Sequence, residues 1–167
     1  NDGVEPVITL ATLDQHAKTD YLFARTPITR TEGNLSLTFR HALGRLSVSI
    51  KTAPEEHIHR VVLNGFYHNA TIDPYTWAVT LTDAPEAYVL DGTDITSFSL
   101  DLIPQTVNKE AVIPAELTLI GDIRSYTVAL GTLPVASDEI VAATVDITSD
   151  VTTVSFSGYG MTWTNYE

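Results

Sequence analysis

The chain has 167 residues and a formal net charge of -12, with 44% hydrophobic and 18% charged residues and no cysteine. That size and balance suit one globular core and exclude a disordered chain. The acidity argues against nucleic-acid or anionic-lipid partners, and the absent cysteines exclude disulfides, thiolate catalysis and cysteine-zinc centres.

In chain order, residues 1–6 (NDGVEP) are polar and acidic, so an exported protein would reach this form by processing. No apolar run approaches the roughly 20 residues that span a bilayer, so no transmembrane segment is expected. Residues 7–12 (VITLAT) read as an opening strand and residues 20–24 (DYLFA) as a second short one. A loop follows, with Arg25, Pro27, Arg30 and Gly33.

The organising stretch is 34–51, NLSLTFRHALGRLSVSIK. Leu35, Leu37 and Phe39 alternate with polar residues, and Leu46, Val48 and Ile50 do so again. Alternation with period two gives a strand one apolar and one wet face. The stretch therefore predicts two sandwich strands joined by a bend or bulge at His41 to Gly44. Pro54 ends the second strand, because proline cannot donate to a ladder.

Residues 57–66 (HIHRVVLNGF) predict the next strand, with Asn64-Gly65 breaking or bulging its end. Asp73-Pro74 marks a turn, and Trp77, Val79 and Leu81 then share a face. Asp91-Gly92 reads as a hairpin turn. Later alternating runs place Phe98 with Leu100, Leu117 with Leu119, Tyr126 with Val128, and Val145 with Ile147. A short helix is conceivable at Ser137 to Ala143, and elsewhere eight prolines leave little room for one. The last alternating run carries Val154 and Phe156. Turn signals at this spacing predict an all-β fold, an antiparallel β-sandwich, as one domain over 1–167.

Chemistry is sparse. His57 and His59 would share a strand face and could hold a metal if Glu56 or His68 completed the set. The bland reading is two solvent-facing histidines on an edge strand, and no metal or cofactor is assigned. The carboxylates between Asp73 and Asp101 fall mostly at turns, where aspartate is expected, and form no recognisable glycosidase or calcium pattern. No serine sits in a nucleophile elbow. No catalytic residue is assigned, and the chain reads as non-enzymatic. Tyr67, Tyr75 and Trp163 are candidate ligand-binding aromatics, while Trp77 is in phase with core residues.

Taken in order, the phrases DYLFA at 20–24, FRHALGRLSVSI at 39–50, LNG at 63–65, ATID at 70–73 and LIPQ at 102–105, with Trp163 near the end, resemble the fimbrillin-like (Mfa-like) family of Bacteroidetes type V pilus subunits. The resemblance implies a transthyretin-like sandwich, export to the outer-membrane surface or fimbrium, and a lipoprotein precursor. Family members usually carry a longer N-terminal portion, so the chain reads as a fragment, a C-terminal domain or a short member.

The resemblance also implies partners: other pilus subunits, joined by β-augmentation in which one subunit's extended segment completes another's sheet. It makes Arg25 and Arg30 candidate protease-cleavage sites. The segment Val151 to Glu167, with Val154 and Phe156, becomes a candidate donor strand, the other reading being the last strand of its own sheet. The rival function is a non-polymerising surface lipoprotein domain that binds a glycan or host ligand.

Overall fold

A computed structural model describes residues 7–9, 21–24, 34, 36–73, 75–108 and 110–162. Among them the regular structure is entirely strand: β1 (Val7–Thr9), β2 (Leu22–Ala24), β3 (Phe39–His41), β4 (Gly44–Lys51), β5 (Ile58–Phe66), β6 (Asn69–Ile72), β7 (Val79–Thr82), β8 (Glu86–Asp91), β9 (Ser97–Leu102), β10 (Gln105–Asn108), β11 (Glu116–Gly121), β12 (Ser125–Ala129), β13 (Thr132–Val135), β14 (Glu139–Asp146) and β15 (Thr153–Thr162). The all-β expectation holds. The helix considered at Ser137 to Ala143 does not form. Asp138 instead takes a turn conformation at φ 61°, and the β-branched residues beyond it enter β14.

Two four-stranded sheets form the layers, ordered β12–β11–β5–β8 and β15–β14–β4–β9. Their inward residues meet in one core. Leu46, Val48 and Ile50 of β4, with Val141, Ala143 and Val145 of β14, come from one sheet, and Val61, Leu63, Leu117 and Leu119 come from the other. Burying a Leu or Val side chain stabilises by about 1.5–3 kcal/mol, so this shared face outweighs any single polar contact.

Among the described residues the pairing departs from a purely antiparallel sandwich at one place. β14 runs parallel to β4, with Val141 opposite Leu46 and Ala143 opposite Val48. The Asp91-Gly92 signal is not a hairpin either. β8 pairs with β5 and β9 with β4, so the chain crosses there between layers. Gly65 does carry the predicted irregularity: it sits at φ 83°, where the β5–β8 register shifts between Leu63 and Phe66.

The bend at residues 41–44 moves the chain from a ribbon of β2 and β3 into the main sheet. Ala42 and Leu43 of the bend belong to a second apolar cluster with Ala70, Ile72 and Ile103. Trp77 joins this cluster and stacks on Phe23 at 4.5 Å between ring centroids, so it packs with Val79 and Leu81 as its phase predicts. The first half of the organising stretch behaves differently. Residues 36–38 are not strand, and Leu37 and Phe39 remain 46% and 60% exposed. Alternation there marks two faces without either being covered.

Candidate functional site

Four of the carboxylates between Asp73 and Asp101 have defined partners. Asp73 accepts from the Tyr75 amide at 2.8 Å and the Thr76 hydroxyl at 2.7 Å, which closes the turn before β7 and holds its carboxyl below the usual range. Asp91 pairs with Arg60, and Asp94 lies 3.1 Å from His57 Nδ1. Asp101 is buried and takes a two-pronged contact from Arg45 at 2.7 and 3.2 Å. These acids are therefore spread over turns and ion pairs.

The histidine pair has a different setting from the one expected. His57 and His59 do face solvent, but β5 is an interior strand, flanked by β11 and β8. Neither of the expected third ligands is available. Glu56 is buried and accepts hydrogen bonds from the Tyr126 hydroxyl at 2.7 Å and the Ile123 amide at 3.1 Å. His68 is buried beyond the far end of β5, stacked on Tyr88 at 3.7 Å between centroids. The residues beside the imidazoles are instead Asp94 and Asp122, the latter 3.4 Å from His59 Nδ1. Sequence spacing missed them because they arrive on two separate loops. Locally the sequence offers only turn chemistry there, with Asp94 just after Asp91-Gly92 and Asp122 just after Gly121.

Arg25, Arg30 and Trp163 lie outside the described residues. Tyr67 and Tyr75 flank opposite ends of β6. Tyr67 is half-buried, and its backbone amide and carbonyl are both engaged by the buried Gln105 side chain, at 2.8 and 3.1 Å. Tyr75 is 61% exposed. Val151 is exposed in the turn before β15. Val154 and Phe156 are half-buried against the main core, and β15 lies antiparallel to β14 at the edge of its sheet.

Among the described residues β15 is the last strand in sequence, and it lies along a sheet edge. The fimbrillin-like family profile matches residues 4–157. The chain belongs to the fimbrillin-like family. No curated protein gives a significant match. Among solved structures, this fimbrillin-like chain is similar to a candidate cell-adhesion protein from Bacteroides ovatus, with TM-score 0.75, 15% identity, and 99% of this chain and 63% of that one covered. A candidate cell-adhesion protein from Bacteroides uniformis gives TM-score 0.74 at 16% identity, over 98% of this chain and 67% of that one. The tip fimbrial protein Mfa3 from Porphyromonas gingivalis, with C-terminal truncation, gives TM-score 0.51 at 11% identity, over 75% and 52%. At these identities the likeness shows a shared fold. The chain spans about two thirds of the length of the two Bacteroides proteins.

Proposed function

We propose that this chain is part of a non-enzymatic fimbrial subunit or fimbria-associated adhesin, exported to the outer-membrane surface and joined to neighbouring subunits by β-strand addition. The observation that carries the reading is the family match over residues 4–157. The precursor is then a lipoprotein, and Arg25 and Arg30 are the sites of a maturation cleavage.

The donor in this proposal is the segment from Val151 onward. Three features support it. β15 occupies an edge, so its removal exposes β14 without cutting through a sheet. Its pairing with β14 is irregular at two places, around Ala142. Its apolar residues Val154 and Phe156 are only half-buried, so the core does not hold them as firmly as it holds Val145. The strand closes its own sheet in the single chain and exchanges into a neighbour's sheet on assembly. Such an exchange of identical contacts needs little net energy, and the polymer retains the main-chain ladder.

Immunogold electron microscopy of intact source cells, with antibody to this chain, tests the reading. Gold along filaments or at their ends is expected. Gold scattered over the membrane without filaments would overturn polymerisation. It would favour a surface lipoprotein domain that binds a glycan or host ligand, for which Tyr75, with its exposed ring, and Tyr67 and Trp163 are the candidate contacts.

A further inference from the structure

His57, His59, Gly92, Thr93, Asp94 and Asp122 line an open cavity of about 430 Å³ at one end of the β12–β11–β5–β8 sheet. Its frame is laced by backbone hydrogen bonds. The Gly92 amide donates to the His59 carbonyl at 3.0 Å and the Ile95 amide to Ile58 at 2.7 Å. On the other side the Asp122 amide donates to the His57 carbonyl at 3.1 Å. Buried Glu56 holds the same loop from beneath through the Ile123 amide.

On this frame each imidazole has a carboxylate behind it. Asp94 Oδ1 is 3.1 Å from His57 Nδ1, and Asp122 Oδ1 is 3.4 Å from His59 Nδ1. Asp122 stands at ion-pair distance from His59 Nδ1, while the Asp94 carboxylate is within hydrogen-bond reach of His57 Nδ1 and favours the tautomer that carries its proton there. That leaves the Nε2 lone pair free and makes it a stronger donor. Carboxylate-backed imidazoles are how proteins orient histidine toward a metal ion. The two rings are at alternate positions and line one cavity, with their backbone positions about 6.6 Å apart along an extended chain. Among the described residues no group of three or more histidine, aspartate or glutamate side chains is disposed to hold a metal ion. The protein's contribution is therefore the two imidazoles, with the carboxylates in supporting positions.

We propose that His57 and His59 bind one divalent transition ion of the nitrogen-preferring class, Zn²⁺, Ni²⁺ or Cu²⁺, through Nε2 of each ring. Asp94 and Asp122 orient the rings, and water completes the coordination. Imidazole suits these ions, whereas Ca²⁺ and Mg²⁺ require oxygen ligands. The proposal is independent of the fimbrial reading.

The test is a Zn²⁺ titration of the untagged protein, followed by long-range proton–nitrogen NMR of the histidine rings. The Nε2 signals of His57 and His59 shift together and saturate, and Ca²⁺ leaves both in place. H57Q and H59Q each lower Zn²⁺ affinity at least about tenfold, and the D94N/D122N pair lowers it about 10- to 100-fold. All four residues are solvent-exposed, so these variants keep the wild-type melting temperature to within a few degrees. Zinc that leaves both rings unshifted, or an H57Q/H59Q double variant that binds zinc as the wild type does, would overturn the proposal.

Discussion

The carboxylate of Glu56 and the hydroxyl of Tyr126, 70 residues apart in sequence, meet at 2.7 Å in the interior. Burial pushes the Glu56 carboxyl upward. Hydrogen bonds from Tyr126 and the Ile123 amide, with the Arg124 charge, outweigh it and hold the group below its ordinary 4.5. A carboxyl depressed in the folded state stabilises above its unfolded pKa, and that contribution disappears as pH falls through the folded one. In urea unfolding, the stability gap between wild type and E56Q should therefore be full at pH 7 and close as pH drops below about 4.5. Y126F should cost about 1.5–3 kcal/mol at pH 7, because it removes a donor to a buried charge. A gap that is flat from pH 7 to 3 would contradict this.

His68 gives a second, separate pH dependence. The ring is 4% exposed, and its Nε2 makes no hydrogen bond among the described residues. Desolvation holds its pKa below 6.5, against a smaller upward pull from Glu86. The unfolded chain therefore takes up the proton first. Stability tied to a neutral His68 is present above about pH 6.5 and is lost as pH falls below it. The wild-type urea midpoint should drop between pH 7.5 and 5.5, and H68F should flatten that drop. An equal decline in both proteins would remove His68 as its cause.

Gly65 and Gly131 separate conformational strain from collision. Both have positive φ, at 83° and 70°. A Cβ at Gly65 would stand 2.5 Å from the Pro114 carbonyl oxygen, whereas one at Gly131 meets nothing within 4 Å. G131A should cost about 1 kcal/mol, from strain alone. G65A should cost about 1–2 kcal/mol more, because backbone must shift in β5 or at Pro114. Thermal unfolding of the two variants measures the difference, and equal costs would contradict it.

The half-buried ion pair between Arg45 and Asp101 ties β4 to β9 directly across their register. D101A removes that carboxylate from the half-exposed Arg45 guanidinium, and about 1–2 kcal/mol should be lost. Removing the exposed Arg60–Asp91 pair by D91A should leave the denaturation midpoint almost unchanged, because solvent screens the pair. Chemical denaturation of both variants checks the ranking.

Much of this fold is legible in residue order, since period two alone places Leu46, Val48 and Ile50, or Leu117 and Leu119, on one buried face. Periodicity reports a face and says nothing of neighbours. The parallel partnership of β4 with β14 therefore has no local signal, because it joins segments separated by most of the chain. The same limit turned Asp91-Gly92 into an apparent hairpin, although its flanking strands belong to different sheets. At the histidine pair, the shared face of His57 and His59 was readable. The carboxylates behind them were not, because two loops bring them in from residues 94 and 122. The engagement of Glu56 is hidden from sequence for a related reason: its hydrogen-bond partner Tyr126 lies on β12, across the sheet from β5.

The central claim is that β15 leaves β14 and completes a neighbour's sheet. These 167 residues contain no cysteine, so within them an introduced pair has no competing thiol. Thr144 and Ser155 face each other across the β14–β15 ladder, away from the buried residues Ala143 and Val145. A T144C/S155C disulfide in the full-length protein would fasten the strand to its own sheet. Electron microscopy of filament assembly by that variant, oxidised and then reduced, is the most direct measurement. Assembly blocked when oxidised and restored on reduction is the predicted result. Filaments that incorporate the oxidised variant as readily as the wild type would contradict donation by this strand.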